Sequence, residues 1–523
     1  MKPFLLFKEK DFDSSVLLPW NAADIIQDLG LNVLFKAMAG EDELLWEVAQ
    51  KTLLTATEND IGTIFYRQEI LKDCLDHPSE IKEIYATAQE AIDRRKKSWF
   101  GVFTNYPSSV LSGSREMILL YIDELKKLRG IAENHRSKFR SAGFKRFFEM
   151  IMAELSGDYF EEIEKHLQEL RLDKNLVMSA RLGKGNKGIR YTLHPPEAEK
   201  LSWWQKIFGQ KAKGYTFYIH PRDESGSRAL RDLKDRGLNE VANALGQSSD
   251  HILEFFKLLR TELSFYLGCL NLHSHLSGLG EPLSFPQPLP SDYRAQVGKG
   301  LYDPCLAISM NRKVIASDIK TDNKNPVIIT GANQGGKSTF LRSIGVAQLM
   351  MQNGMFVPAD FYSAGICNSL FTHFKREEDT TMKSGKFDEE LARMSQIADH
   401  ITPDAIVLFN ESFAATNEIE GSEIAGQIVR ALIEKGVRVF YVTHLYDFAS
   451  NIYKDGRMDA LFLRAERKED ASRTFRITEG RPLVTSYGQD LYYKIFKNDV
   501  AGNDTSDEGN ISTGRVAASD KDL

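Results

Sequence analysis

One short stretch, Pro326 to Thr339, constrains this chain more than any other. It reads PVIITGANQGGKST. Val327, Ile328 and Ile329 form a β-branched run that predicts a short, buried parallel strand. Gly331-Ala332-Asn333-Gln334-Gly335-Gly336-Lys337-Ser338 then fits G-x-x-x-x-G-K-[ST] at every fixed position, and Thr339 follows. Glycines let the backbone turn tightly enough to aim its N–H groups at phosphate oxygens. A helix opening at Lys337 adds its positive dipole end. The apolar spacing of Phe340, Leu341, Ile344, Val346 and Leu349 predicts that helix. Lys337 is then expected to reach the β- and γ-phosphates of a nucleotide, and the Ser338 hydroxyl to sit on Mg²⁺. An ordinary glycine-rich loop is the plainer alternative, and the strand before and helix after argue against it.

At 523 residues the chain is too long for one core and predicts roughly two to four domains. With 42% hydrophobic and 27% charged residues, it has the composition of a soluble globular protein. The formal net charge of −6 advertises no global attraction to nucleic acid, so any such binding must come from a local patch. Cys74, Cys269, Cys305 and Cys367 lie far apart with no C-x-x-C pair, which argues against a zinc site or a disulfide framework and fits a reducing compartment. The opening MKPFLLFKEKDFD has too short an apolar run for a signal peptide, and no stretch is apolar enough to span a membrane. A cytoplasmic or nucleoid-associated protein is expected.

From Asn21 to about Leu170 the apolar residues repeat at helical spacing. Ile118, Tyr121, Ile122, Leu125 and Leu128 follow a candidate N-cap at Ser114, and another helix begins near Phe144 and continues through Ile151 and Leu155. Arg94-Arg95-Lys96-Lys97 could touch phosphates, although such a run is more often a solvated helix face. Between residues 171 and 222 the pattern changes. Val177 to Arg181, Ile189 to Leu193 and Tyr215 to Ile219 are β-like runs separated by glycine-rich or proline-rich breaks. Cations crowd this insertion, Lys184, Lys187 and Arg190 among them, interleaved with Trp203, Trp204, Phe208 and Tyr215. A nucleic-acid backbone and an exposed hairpin with core tryptophans explain it equally well. A long helix then runs through Ile252, Phe256, Leu263 and Leu270 to the breaker Gly278-Leu279-Gly280, with His273 and His275 too poorly aligned to share a metal. Pro282, Pro286, Pro288 and Pro290 next predict an extended linker.

After the cradle, a strand is expected around Asn368 to Phe374, followed by a polar loop from Lys375 to Lys386. A second apolar strand, Ala405 to Phe409, ends in Asn410-Glu411, and a third, Val437 to Val442, leads into Thr443-His444. Nucleotide hydrolases with this cradle commonly carry a metal-organising Asp here, then a Glu that polarises the attacking water. The Glu is present as Glu411. Asn410 can still hydrogen-bond a metal-bound water but brings no charge to the ion, which predicts weak or slow turnover. His444, at the end of the next strand, is placed to sense a γ-phosphate.

LYDPCL from Leu301, ITGANQGGKSTFLRSIG, GMFVPA, LFTHF, VLFNESFAATNEIEGSEIA, VTHLYDF and TSYGQDL occur in the order in which they resemble the ATPase domains of MutS mismatch-repair proteins. DLGLNVLFKAMAGEDELLWEVAQKTLLTATENDIGTIFYRQEIL likewise resembles the family's helical core and lever region, so that the resemblance covers most of residues 20 to 495. It implies an α/β P-loop NTPase domain of the ABC/MutS type at 300–496. Before it come an N-terminal segment (1–20), a mostly α-helical core and lever region (21–281) carrying the basic β-rich insertion (171–222), and a linker (282–299). A disordered tail (497–523) follows. The resemblance also implies ATP and Mg²⁺ as cofactors, DNA as a ligand, and a homodimer in which the opposing subunit completes each nucleotide site while a helical clamp closes on DNA.

Carried over by residue, the cradle is Gly331 to Thr339, the metal position Ser338 with Asn410, the catalytic base Glu411 and the switch histidine His444. In Ser384-Gly385-Lys386-Phe387, only Phe387 matches the family's trans-acting Ser-Thr-Phe. The resemblance predicts neither a mismatch-reading domain before residue 20 nor a small nuclease domain after Val500. Phe147-Phe148-Glu149 and Phe160-Glu161-Glu162 match the mismatch-reading tripeptide only by chance, inside expected core helices. Two functions follow: an ATP-dependent DNA-binding clamp, acting in mismatch repair or on recombination junctions, or a catalytically weak, nucleotide-gated scaffold for partner proteins. A transporter-type ATPase fits less well, since no Leu-Ser-Gly-Gly-Gln signature is present.

Overall fold

The helical half begins with short helices α1 (Ala22–Leu29), α2 (Leu31–Ala39) and α3 (Glu43–Leu54), followed by α4 (Ile61–Asp76) and α5 (Pro78–Lys97). Next come α6 (Pro107–His135), the longest so far, and the shorter α7 (Ala142–Glu154) and α8 (Gly157–Glu169). These belong to a computed structural model that describes residues 1–55, 60–97, 106–171, 177–194, 218–220, 222–376, 385–467 and 473–482. The organising element of this half is α9 (Glu224–Gly278), 55 residues long. Its apolar stripe, including Phe256, Leu259, Leu263 and Tyr266, is buried against α2, α3, α5 and α6. At about 1.5 Å per residue, such a helix reaches well beyond a single small domain.

Several expectations for this half are corrected by packing partners that lie far away in sequence. Helix α6 starts at Pro107, two turns before Ser114, because proline suits the first helical turn and the Asp235 carboxylate of α9 accepts the Ser108 N–H at 3.2 Å. The Ser141 cap of α7 is local and lies where the periodicity places it. Strands β1 (Val177–Leu182) and β2 (Gly188–His194) pair as an antiparallel hairpin. The third expected run is no strand at Tyr218 and Ile219, and 215–217, like Trp203, Trp204 and Phe208, lie outside the described residues. Arg94 pairs with Glu90 and Glu124, and Arg95 with Asp250, so half of the basic run is engaged within the helical packing. Phe147, Phe148 and Phe160 are buried core residues.

Two sheets make up the other half. One contains β3 (Gln287–Leu289), β4 (Gln296–Leu301), β5 (Ser317–Lys320) and β7 (Phe361–Gly365), in the order β3-β7-β4-β5, with α10 (Pro304–Met310) between β4 and β5. Part of the segment expected as a linker at 282–299 therefore lies in this sheet, as β3 and the start of β4. Its prolines are tolerated because β3 is an edge strand and needs no full set of donors. The second sheet holds β6 (Val327–Thr330), β8 (Leu370–Phe374), β9 (Ile406–Asn410), β10 (Arg438–Val442), β11 (Leu461–Arg467) and β12 (Arg473–Glu479), in the order β12-β11-β6-β10-β9-β8. All neighbours are parallel except β11 and β12, which form an antiparallel hairpin.

Both faces of this sheet are covered, as the continuous apolar strands require. Val327 and Ile329 of β6, with Ile406 and Leu408 of β9, face a core shared with α11 (Lys337–Gln352) and the helical half. Ile328, Val407, Phe409 and Tyr441 face the opposite way, toward α12 (Lys386–His400), α13 (Glu418–Glu434) and α14 (Tyr446–Asp455). The sheet is joined to the helical half directly. Arg376, just after β8, pairs with Asp24 and Asp28 of α1, and the Asn21 amide donates to Leu370 O at 3.1 Å.

Candidate functional site

Strand register brings the site together. Asn410 pairs with Val442 across β9 and β10, and Val442 pairs with Ile329 across β10 and β6. The carboxyl ends of three adjacent parallel strands thus meet at one level, and each is followed by a residue of interest. In such sheets the crevice beyond the strand ends is where ligands bind.

The loop after β6 turns through Gly331 (φ +115°), Gln334 (φ +57°) and Gly336 (φ +91°) before α11 begins at Lys337. Side chains are excluded there. A Cβ on Gly336 would come within 2.9 Å of Phe475 O, and one on Gly335 within 2.7 Å of the Ala465 Cβ and 2.9 Å of Ala332 O. No side chain caps α11, so its first-turn N–H groups point into the crevice with no side-chain acceptor. The Lys337 Nζ donates to Gly331 O at 2.9 Å and Ala332 O at 3.0 Å, bridging the loop's own carbonyls. Burial pulls its pKa down to about 8, and Glu411 draws it partly back. A desolvated ammonium, free helix N–H groups and a backbone open to close approach form a fit for phosphate.

Ser338 Oγ donates to Asn410 Oδ1 at 2.9 Å. Two uncharged oxygens therefore stand side by side at the expected metal position, a donor set that suits a hard cation carrying most of its own waters. His444 Nε2 lies 2.9 Å from Glu411 Oε1. A carboxylate can only accept, so Nε2 carries the proton, and the 3.3 Å approach of Lys337 Nζ to the same nitrogen is contact without a hydrogen bond. The His444 hydrogen bond is the main influence holding the Glu411 carboxyl below its ordinary pKa, against partial burial. Glu411 is thus ionised, oriented and left-handed (φ +55°) at the edge of the crevice.

Lys337, Ser338, Asn410, Glu411 and His444 are gathered here. Asn333 and Gln334 are exposed at the lip of the loop, and Gln334 accepts from Arg473 of β12 at 2.6 Å. Ala332 and Thr339 are half-buried beside them. Phe387 is half-buried against its own chain's core, so only part of its side chain is exposed. Lys184, Lys187 and Arg190 are exposed on the β1–β2 hairpin, which packs on α9 and takes no part in the cradle. Among the described residues no cluster of His, Cys, Asp and Glu could hold a metal by itself, and no helix is long and apolar enough to cross a membrane.

Sequence reasoning missed the cavity beside the cradle. It has a volume of about 410 Å³ and lies between Gly336 and Thr339, Val314 and Ile315, and Phe475. Its size and mixed apolar lining suit a flat heterocycle attached to the phosphates. The alternation of Leu461, Leu463 and Ala465 was a legible sign of the β11–β12 hairpin that closes it. Nothing local marks Ile315.

Comparison with known proteins finds family matches over both halves of the chain. The family described as MutS2 N-terminal domain matches residues 59–279, and MutS domain V matches residues 327–494. The endonuclease MutS2 of Lactiplantibacillus plantarum is 28% identical over 306 residues, 56% of this chain and 37% of that protein. The DNA mismatch repair protein MutS of Leptospira interrogans is 32% identical over 262 residues, 50% of this chain and 30% of that protein. MutS protein homolog 4 of Mus musculus is 26% identical over 280 residues, 51% of this chain and 28% of that protein. The chain thus spans well under half the length of these curated relatives. Two family matches in their expected order, one over the helical half and one over the cradle sheet, make this chain a member of the MutS family.

Proposed function

We propose that the chain is an ATP-dependent DNA-binding protein in which hydrolysis is coupled to closure of a dimeric clamp. The observation that carries this reading is the convergence of Lys337, Ser338, Asn410, Glu411 and His444 at the ends of three parallel strands. Lys337 and the first turn of α11 bind the phosphates. Ser338 and Asn410 would hold a Mg²⁺ ion, whose charge would offset the negative charge on the phosphates. Glu411, ionised and fixed by His444, orients the attacking water and takes its proton. His444 reports the state of the γ-phosphate to the segment after β10. The cavity beside Phe475 receives the base.

Expected partners are a second copy of the chain, meeting this one near Phe387, and DNA, met by the helical half and by Lys184, Lys187 and Arg190. Asn410 favours a second reading, since a neutral metal position weakens charge neutralisation: a nucleotide-gated scaffold with slow turnover. Steady-state ATP hydrolysis with Mg²⁺, alone and with branched, mismatched and plain duplex DNA, separates the two when Lys337→Ala serves as the blank. Turnover above the blank and raised by one DNA form supports the clamp. Turnover at the blank level with nucleotide still bound supports the scaffold. Within the first reading, Glu411→Gln removes hydrolysis and keeps nucleotide binding, and equal turnover in the variant and the parent would end the role of Glu411.

A further inference from the structure

Behind Glu411 lies a buried polar cluster that the proposed chemistry does not use. The ring of His373, in β8, is fully buried and stacks on Phe413 at 5.2 Å. Its Nε2 lies 2.9 Å from Glu390 O, and its Nδ1 2.7 Å from Ser412 Oγ. The Tyr441 hydroxyl of β10 donates to Ser412 O at 2.8 Å, and the Phe413 N–H donates to Glu390 Oε2 at 2.7 Å. Three elements, β8, α12 and β10, therefore grip the two residues that follow Glu411.

Both neighbours of Ser412 need gripping. Glu411 and Phe413 are left-handed, at φ +55° and +61°. For residues with side chains such a conformation costs on the order of 1–3 kcal/mol and persists only where the surroundings impose it. On one side, the Glu411 N–H donates to Val442 O at 2.9 Å. On the other, the hydroxyl and carbonyl of Ser412 are both engaged. A carbonyl can only accept, so His373 Nε2 carries the proton toward Glu390 O, and burial keeps the ring neutral. Nδ1 is then an acceptor, and the Ser412 hydroxyl divides its one proton between it and His373 O, to which it donates at 2.5 Å.

We infer that His373, Glu390 and Tyr441 are positioning residues that hold the Glu411 carboxylate against His444 by clamping Ser412 and Phe413. The inference rests on the reading of Glu411 as the base. None of the three needs to touch nucleotide. Their effect is on turnover rather than on binding, since a misplaced base costs rate while the cradle stays intact.

Tyr441→Phe and Ser412→Ala test this in the full chain. The first keeps the ring stacked on Phe409. The second removes only the hydroxyl. Each is expected to lower kcat by about tenfold while KM and the affinity for a fluorescent ATP analogue stay unchanged. Ser412→Thr, which keeps the hydroxyl, restores most of the rate. Unchanged kcat in both variants, while Glu411→Gln is inactive, overturns the clamp and leaves Glu411 as the base. A fall in kcat matched by lost nucleotide affinity and lower thermal stability also overturns it, leaving an ordinary packing cluster. Parent-like turnover in Glu411→Gln removes the underlying reading, and the clamp with it.

Discussion

Lys337 shows how one side chain sets two opposite pH dependences. Its ammonium is buried, and its pKa falls from 10.5 to about 8. In the unfolded chain the same group holds its proton until pH 10.5. Between these values the unfolded state binds more protons, so the nucleotide-free protein gains stability from this group as pH rises from about 8. Phosphate binding needs the charged form, so nucleotide affinity falls over the same window. Titrating a fluorescent nucleotide at rising pH, beside thermal unfolding without nucleotide, should show the two slopes with opposite signs. In Lys337→Arg, whose guanidinium stays charged, both should flatten. An affinity that stays level through pH 8 would mean that the lysine is charged throughout. This site was legible in the sequence because its chemistry is local: the glycines, the lysine and the hydroxyl are consecutive, and Asn410, Glu411 and His444 each end an apolar strand run.

At the level of elements, the β11–β12 hairpin matters as much as the loop it covers. Gly335 is pinned between two unlike neighbours, Ala332 O of its own loop and the Ala465 Cβ of β11. Gly335→Ala is therefore expected to force the loop outward, at a cost of about 1–3 kcal/mol by analogy with overpacked cores, and to weaken nucleotide binding. Adding Ala465→Gly removes one obstruction and leaves the carbonyl, so rescue should be partial. Full rescue would show that the loop itself has room, and no rescue that the hairpin does not bear on it. Such closure was hidden from sequence reasoning because it depends on contacts more than a hundred residues apart. The same holds for α6, whose start is set by Asp235 of α9, and for the proline-rich segment, where a sheet edge accepts strands that local rules disfavour. Helix α7 and strands β6, β9 and β10 carry their caps and periodicities within themselves, and their positions could be read directly.

Across the whole molecule, the first residues of the chain tie the helical half to the nucleotide half. Leu5 and Leu6 are fully buried. Tyr266 of α9 donates to Leu5 O at 2.6 Å, and Arg67 of α4 donates to Leu6 O at 2.8 Å. Arg67 also reaches Asn353, at the end of cradle helix α11, at 3.4 Å. Movement of α11 on binding nucleotide would therefore be felt in α4 and in this strap. The strap is closed by the buried Glu262 of α9, which accepts the Leu5 N–H at 2.6 Å. Burial pushes the Glu262 pKa up to about 7, against the pull of the Leu5, Leu6 and Phe12 N–H groups. An unfolded chain releases this proton near 4.5, so the stabilisation is complete below that pH and is lost as pH rises toward 7. The loss amounts to about 3 kcal/mol at most, from the size of the shift. Glu262→Gln keeps an acceptor for Leu5 and cannot ionise. Relative to the parent, the variant should gain in thermal midpoint as pH is raised from 5 to 8, with the gap opening through the window bounded by 4.5 and about 7. If parent and variant shift in parallel, the carboxyl is not titrating in the fold and the strap carries no pH dependence. If the gap opens and nucleotide affinity changes with it, the strap and the cradle helix respond together, as the Arg67 to Asn353 link requires.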